Sequence, residues 1–424
     1  MVANWCDHPL PQKNTMDSES WKNEEFADLP SSGEQVNQSS SRRFSSTAFR
    51  IPCRFFERIK RVFCSGVFLK GSAFAVGFWK PSKGFRVIMM IIVLLLDLYY
   101  VIDAVYYTFV CRHFDTPLNS WFCGNTSATN SSPSALPDVL RGIELIGVLS
   151  LVSNFAVLMS NATFFWCMWK LERRTVHCVT LDKAYSTAGR STWVTLNCTI
   201  LIFGFCLLIK VFWNDFAFKE PLLSYLSLSF GIIPQWAILT SSWIFLIITN
   251  AMKDCVTLCH AEIRSASGIS LDDVIRIHKR LCKQMSSTSD SLKVWFVIHW
   301  FLLAITAVIY VANMVSYFDK ATDWYYLYQA ILVSVGYLYV FVYPSYCAAS
   351  VTALCSRMLK ELNLTTDEDW DTGHPFHSRS QLALFLQYAQ YTNCGFQVGE
   401  VTFGSNFAWF STLIAMCGLG VKVL

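Results

Sequence analysis

Apolar runs of about 20 residues, the length that crosses a bilayer core, alternate with polar connections through most of this chain. They lie at about 85–110, 139–169, 193–213, 225–252, 294–317 and 324–354, with a last one reaching the C-terminus at Leu424. The pattern predicts an all-α membrane protein with seven transmembrane helices occupying 85–424. Between the fourth and fifth runs, Leu271, Val274, Ile275, Ile277 and Leu281 recur at helical spacing. Asp272 and Asp273 open that stretch and cations close it, in the sense that favours a helix dipole. Helical extensions are therefore expected beyond the membrane over 170–192, 253–293 and 355–394.

The last run differs from the others. Gln381 to Tyr391 reads as a helix with polar insertions. Gly395, Gln397, Gly399, Glu400, Gly404, Ser405 and Asn406 then interrupt it before apolar sequence resumes. The seventh helix is expected to be broken, with a crossing half from about Thr402. Flexible polar backbone at membrane depth is tolerated where it faces protein or water.

Charge sets the orientation. Lys and Arg concentrate before the first run and on alternate connections: Lys170, Arg173, Arg174, Lys183 and Arg190, then Arg264, Arg276, Lys279, Arg280 and Lys283, then Arg357, Lys360 and Arg379. Cation-rich connections stay cytosolic, so the N-terminus is expected inside and the C-terminus outside. Asn125 and Asn130 head two glycosylation sequons in a connection this rule places outside, where such acceptors are used. Cys111 and Cys123 flank the same connection as a candidate disulfide, with two free thiols as the alternative.

Residues 1–41 are rich in Ser, Asn and Glu and read as a disordered cytosolic tail. Over 42–84, cations such as Arg54 and Arg58 interleave with rings such as Phe55 and Phe56. That mixture suits a basic amphipathic segment on an anionic inner leaflet. A spanning reading of 62–79 would place Lys70 near mid-membrane, at a cost of about 3 kcal/mol.

Composition agrees with the class: 53% hydrophobic and 15% charged, against about 25% charged in ordinary soluble domains. The net charge of +4 is topological and calls for no nucleic acid. No catalytic constellation is found, so no enzyme is expected, and no cofactor. The 16 cysteines are scattered. Cys255 and Cys259 share a helical face beside His260 with no second ligand cluster in view, and His374 and His377 read as a solvated loop pair, so no metal site is expected. Asp97 and Asp103 fall inside the first run, where unpaired carboxylates are costly; each is expected to hydrogen-bond a neighbouring Tyr hydroxyl or the next helix, with ion passage or ligand contact as the alternative. Trp213, Trp236, Trp324, Tyr325 and Tyr328 lie near outer helix halves and are the first candidates for an apolar ligand pocket.

Cys394-Gly395-Phe396, followed after about fifteen residues by Ser411-Thr412, resembles the small-Gly-Phe element leading to a Thr-Tyr-(five apolar)-Gln-Phe ending in the insect-type gustatory and odorant receptor superfamily, which includes nematode gustatory-receptor-like proteins. Topology and length are similar as well. Leu413 and Leu419-Gly420 stand where that family has Tyr and Gln-Phe, so the resemblance is to a divergent member. It implies a plasma-membrane chemoreceptor: a homo- or hetero-tetrameric cation channel gated by a small-molecule or other sensory stimulus, with the last helix lining the pore. On that reading Ser405, Asn406, Ser411 and Thr412 are pore candidates, and Glu400 lies near the inner mouth. The alternatives are a G-protein-coupled receptor, which needs the opposite orientation, and a transporter, which usually carries internal repeats.

Overall fold

The computed structural model describes residues 66–78, 83–106, 145–173, 179, 181–214, 221–265, 270–320, 324–364, 370, 374–392, 394–399 and 401–420. These form helices α1 (Val67–Ala75), α2 (Lys83–Val105), α3 (Leu145–Arg173), α4 (Leu181–Thr187), α5 (Arg190–Asn214), α6 (Pro221–Ser265), α7 (Leu271–Lys320), α8 (Trp324–Asn363), α9 (Arg379–Tyr391) and α10 (Ser405–Gly420). A hairpin of two short strands, β1 (Gln397–Val398) and β2 (Val401–Thr402), separates α9 from α10. The tail 1–41, the segment 42–65, the sequons at Asn125 and Asn130, Cys111, Cys123 and Glu400 lie outside the described residues.

Among the described residues five helices are long and apolar enough to cross a membrane: Gly84–Val105, Val148–Arg173, Ile232–Ser265, Leu271–Val311 and Ile331–Asn363. The chain is a multi-pass membrane protein. Within α5 the described apolar part, Ser191–Cys206, is shorter, and α10 has 16 residues. Helix α1 has nine, about half of what a crossing needs.

The long helices differ in how much they face outward. In α6, 78% of the apolar window is buried, against 11% in α2. Helix α2 turns Val87, Ile88, Ile91, Leu95, Leu98 and Ile102 outward, a face suited to acyl chains. Helix α6 is enclosed on all sides from Ala237 to Ile248. Three of its buried hydroxyls are satisfied within the helix: Ser241 and Ser242 Oγ donate to the Ile238 carbonyl at 2.8 and 3.1 Å, and Thr249 Oγ1 to Phe245 at 3.0 Å. Such back-bonding lets polar residues sit in a core without outside partners.

Helix α7 packs against α3, α8, α10 and β1. At 50 residues it joins the amphipathic stretch from Leu271 and the fifth apolar run from Val294 into one continuous helix. Two features permit this. Ser270 caps its start: its Oγ accepts from Asp273 N–H at 3.3 Å, satisfying one orphan donor, and donates to Asp273 Oδ2 at 2.7 Å. Across the Ser/Thr-rich stretch, Thr288 Oγ1 donates to the Gln284 carbonyl and Ser291 Oγ to Ser287, both at 2.9 Å, and there is no Gly or Pro to end the helix. Helices α6 and α8 likewise run past their apolar cores, to Ser265 and Asn363.

Buried polar contacts tie the helices together. Asp97 on α2 accepts from Asn161 Nδ2 on α3 at 3.0 Å, and the same amide is 3.3 Å from the Pro234 carbonyl on α6. This is the helix-to-helix hydrogen bond expected of Asp97. Asn161, although in a sequon, is fully buried. Replacing Asn161 by Leu strips Asp97 of this donor, and an unsatisfied buried acceptor costs about 1–3 kcal/mol, whereas removing both partners is much cheaper. The expected result is a lower unfolding temperature in detergent for Asn161→Leu, largely restored in the Asp97→Leu/Asn161→Leu double variant. Equal loss in the double variant would show that the pair does not act as a unit.

A second network joins α3, α7 and α8. His299 Nε2 is 2.9 Å from the Val340 carbonyl, which can only accept, so the proton sits on Nε2. Nδ1 then accepts from Ser160 Oγ at 2.7 Å, and Ser160 Oγ in turn accepts from Trp295 Nε1 at 3.2 Å. Every group has one compatible role.

Candidate functional site

Three regions are candidates for a functional site: a cavity among α5, α6 and α8, the break before α10, and α10 itself.

The cavity is lined by Phe203 and Cys206 from α5, Gln235, Ile238 and Leu239 from α6, and Leu332, Val333, Gly336, Tyr337 and Val340 from α8. Its volume is about 50 Å³. Gly336 leaves room in its wall, since a Cβ in that place would meet only Phe203, at 4.0 Å. The polar groups converge at one place, where Gln235 Nε2 reaches Tyr337 Oη at 3.5 Å, while Tyr337 stacks on Tyr310 at 4.6 Å. Nearby, Trp243 Nε1 donates to Tyr339 Oη at 3.2 Å, and Phe203 packs on Tyr339 at 4.8 Å. An apolar wall with a few fixed polar groups is the usual composition of a small-molecule site. A cavity of this volume holds a few waters, so a larger occupant has to widen it.

Of the sequence-derived pocket candidates, Trp236 lies one residue from Gln235 but turns away from the cavity onto Trp243, ring centroids 5.4 Å apart. The side chains of Trp213, Trp324, Tyr325 and Tyr328 lie outside the described residues. Sequence reasoning missed Gln235 and Tyr337. The available signal was a Gln inside an apolar run directly after Pro234.

The break is built by Cys394-Gly395-Phe396. Gly395 has φ +151°, and a Cβ there would stand 2.6 Å from Thr352 Oγ1 on α8. Only a glycine lets the backbone come this close. The approach brings the Phe396 N–H to 3.1 Å from Thr352 Oγ1. It also drives the fully buried Phe396 ring among Phe245, Phe296 and Phe403, at 5.5, 5.0 and 6.2 Å. The chain then turns at Gly399, φ +64°, through the hairpin, and Phe403 N–H returns to the Phe396 carbonyl at 3.0 Å. A second cavity, of about 430 Å³, opens beside this element between α8 and α9, with Thr352, Cys355, Lys360, Gln390, Cys394 and Thr402 in its wall.

Helix α10 starts from this plug and packs on α7 and α8. Ser411 is buried and accepts from Trp300 Nε1 on α7 at 2.9 Å. Its hydroxyl is therefore engaged within the chain. Thr412 is half-buried and donates to the Ala408 carbonyl at 3.1 Å. Asn406, Trp409, Phe410, Leu413 and Met416 are exposed. The side chain of Ser405 is not among those described.

The histidines separate. His374 is buried, stacks on Trp370 at 3.7 Å and accepts from the Phe376 N–H at 3.1 Å, whereas His377 is exposed. They form no joint ligand set. Among the described residues, donor atoms suited to a metal converge at His278, Cys282 and Cys394, all within 4.8 Å of one another. For the Cys394 thiol, contact with Cys282 pulls downward, but contact with Cys355 and burial outweigh it and hold the group well above the usual thiol range. Such a thiol is not poised as a nucleophile.

No protein-family model and no curated protein sequence matches the chain. Among solved structures it is similar to the insect olfactory receptor OR5 from Machilis hrabei, at 13% identity over 87% of this chain and 98% of that one, with a TM-score of 0.48. It is similar also to that receptor in complex with eugenol, at 11% identity, the same coverage and a TM-score of 0.46.

Proposed function

We propose that this protein is a chemosensory receptor of the gustatory-receptor-like type, acting as a subunit of a tetrameric ligand-gated cation channel in the plasma membrane. Its N-terminus is cytosolic, and it crosses the membrane seven times. The observation that carries this reading is the divided last helix. Helix α9 stops, a plug element docks on α8, and α10 starts afresh with Ser411 turned to Trp300 and a row of exposed residues on its other side. A helix held on one flank and free on the other suits lining a pore between copies. In that role Asn406 and Thr412 supply polar contacts, Leu413 and Met416 supply an apolar constriction, and Glu400 at the inner mouth favours cations. The cavity at Gln235 and Tyr337 takes the stimulus, and a ligand that binds the widened state more tightly shifts the population toward opening.

The test uses an N-terminal epitope tag and whole-cell recording from expressing cells, under a panel of small apolar and hydroxylated compounds. The tag is expected to be protected until cells are permeabilised. A stimulus-evoked current should reverse at the cation equilibrium potential, and Glu400→Gln should lower its cation-over-anion selectivity. Tyr337→Phe should move the stimulus dose-response without altering selectivity. Antibody access without detergent overturns the orientation and favours a G-protein-coupled receptor. A protected tag with stimulus uptake but no current favours a transporter.

A further inference from the structure

Cysteine and histidine side chains from three separate parts of the chain meet where α7, α8 and the segment before β1 come together. His278 and Cys282 are four residues apart on α7 and so share one helix face. Cys282 Sγ lies 3.6 Å from His278 Nδ1 and 3.8 Å from Nε2. Cys394, next to Gly395, places its Sγ within 4.8 Å of both Cys282 Sγ and a His278 ring nitrogen. On its other side it meets Cys355 of α8, the two sulfurs 3.4 Å apart. These thiols are not joined in disulfides.

We propose that His278, Cys282 and Cys394 supply three ligands of a tetrahedral site for a zinc ion that clips α7 and the plug element together. Zn–S distances of about 2.3 Å and Zn–N distances of about 2.0–2.1 Å place tetrahedral ligands about 3.8 Å apart between sulfurs and about 3.6 Å apart between sulfur and nitrogen. The 3.6 Å between Cys282 Sγ and His278 Nδ1 matches the sulfur–nitrogen edge, and all three donors lie within 4.8 Å of one another. The donors are thiolate and imidazole, which suits zinc and disfavours the oxygen-seeking Mg²⁺ and Ca²⁺. His278 is fully buried between the rings of Phe385 and Tyr388, and among the described residues Cys282 is its hydrogen-bond partner. A buried imidazole whose polar neighbour is a thiol is otherwise poorly satisfied, and a metal would complete both groups. Cys355 and Cys394 also form part of the wall of the cavity of about 430 Å³ between α8 and α9, which provides an entry path. A disulfide between Cys355 and Cys394 is the competing fate. It would leave His278 and Cys282 unused, and it is disfavoured in a reducing compartment.

The site does not depend on the proposed function, and its test reads metal directly. Full-length protein purified in detergent without chelator is expected to carry about one zinc per chain by mass spectrometry of the elements. Cys282→Ser and Cys394→Ser should each reduce zinc to background, while Cys198→Ser, an exposed position on α5, should leave it unchanged. Exchange of the wild type into Co²⁺ should give the intense visible bands of tetrahedral thiolate coordination, a result that requires no variant to fold. Background zinc in the wild type after direct addition of zinc overturns the site. So does full zinc in both variants, octahedral Co²⁺ spectra, or a Cys355–Cys394 disulfide recovered by peptide mapping from protein alkylated at lysis.

Discussion

Gly395→Ala should abolish most of the correctly folded protein. The substitution meets two obstacles at once. A non-glycine residue at φ +151° costs about 1–3 kcal/mol. The new methyl would also stand 2.6 Å from Thr352 Oγ1 and 3.0 Å from its Cβ and Cγ2, and overpacking of this kind typically costs about 1–3 kcal/mol more. Thr352 has little freedom to move aside, because its Oγ1 accepts the Phe396 N–H. Together these come to about 2–6 kcal/mol, which reaches the low end of the about 5–15 kcal/mol that holds many proteins folded. Fluorescence-detected gel filtration of a tagged protein checks the outcome. The expected result is a collapse of the monodisperse peak for Gly395→Ala and a partial return in Gly395→Ala/Thr352→Ala. The second substitution removes the clash with Oγ1 and Cγ2 but leaves the backbone strain. Full rescue would assign the whole effect to sterics, and no effect of Gly395→Ala would mean that the close approach does not matter.

Phe396→Ala should be nearly as damaging, for a different reason. The ring is completely buried among Phe245 of α6, Phe296 of α7 and Phe403 of the hairpin, so it joins three parts of the chain. Truncating a buried Phe costs about 3–5 kcal/mol, part of it for the cavity left behind. In a membrane protein much of that cost is lost van der Waals contact, since helix association in lipid depends on packing. A fall in thermal unfolding temperature should be accompanied by faster proteolysis across 397–404, the hairpin that the ring secures. Phe396→Leu, which fills part of the space, should lie between the two. If proteolysis stayed at the wild-type rate while stability fell, the ring would be core filler and not the anchor of the break.

Both variants address an element whose residues stand out in the sequence but whose role does not. As sequence, Cys394-Gly395-Phe396 is a family-like signature. As structure, each position has a physical part to play. Cys394 sets a sulfur beside Cys282 and Cys355, Gly395 permits the close approach to Thr352, and Phe396 is the plug. The polar interruption after it is legible as a break because glycines and polar residues end a helical apolar run wherever they occur. The hairpin that fills the break is not legible, because its pairing of Gln397 with Thr402 follows from the turn at Gly399 and the buried ring before it. Ser411 and Thr412 look equivalent as hydroxyls on an apolar helix. They separate only once Trp300 is placed beside one of them.

The metal candidates show the same division. Cys255, Cys259 and His260 attract attention by local spacing, but the donors that converge are His278 and Cys282, one helical turn apart, and Cys394, which lies too far along the chain for spacing to connect it to them. His260 turns instead toward Glu361, at 3.8 Å. Asp97 could be assigned a hydrogen-bonding partner in general terms, because a carboxylate among hydrocarbon demands one. That the partner is Asn161, 64 positions away, depends on which faces of α2 and α3 meet.

The sequence by itself determined the class of the protein, the places where helices lie and the break in the last one. These follow from transfer free energies and backbone preferences that each residue carries wherever it sits. Only the tertiary structure decided which residues share a cavity, which hydroxyl is spent on a neighbouring helix, and which thiols meet. Inside a bilayer an apolar face is nearly as well satisfied by lipid as by protein, so helix rotation and pairing depend on shape and a few hydrogen bonds. Those terms exist only between residues, and they have no value until the fold brings the partners together.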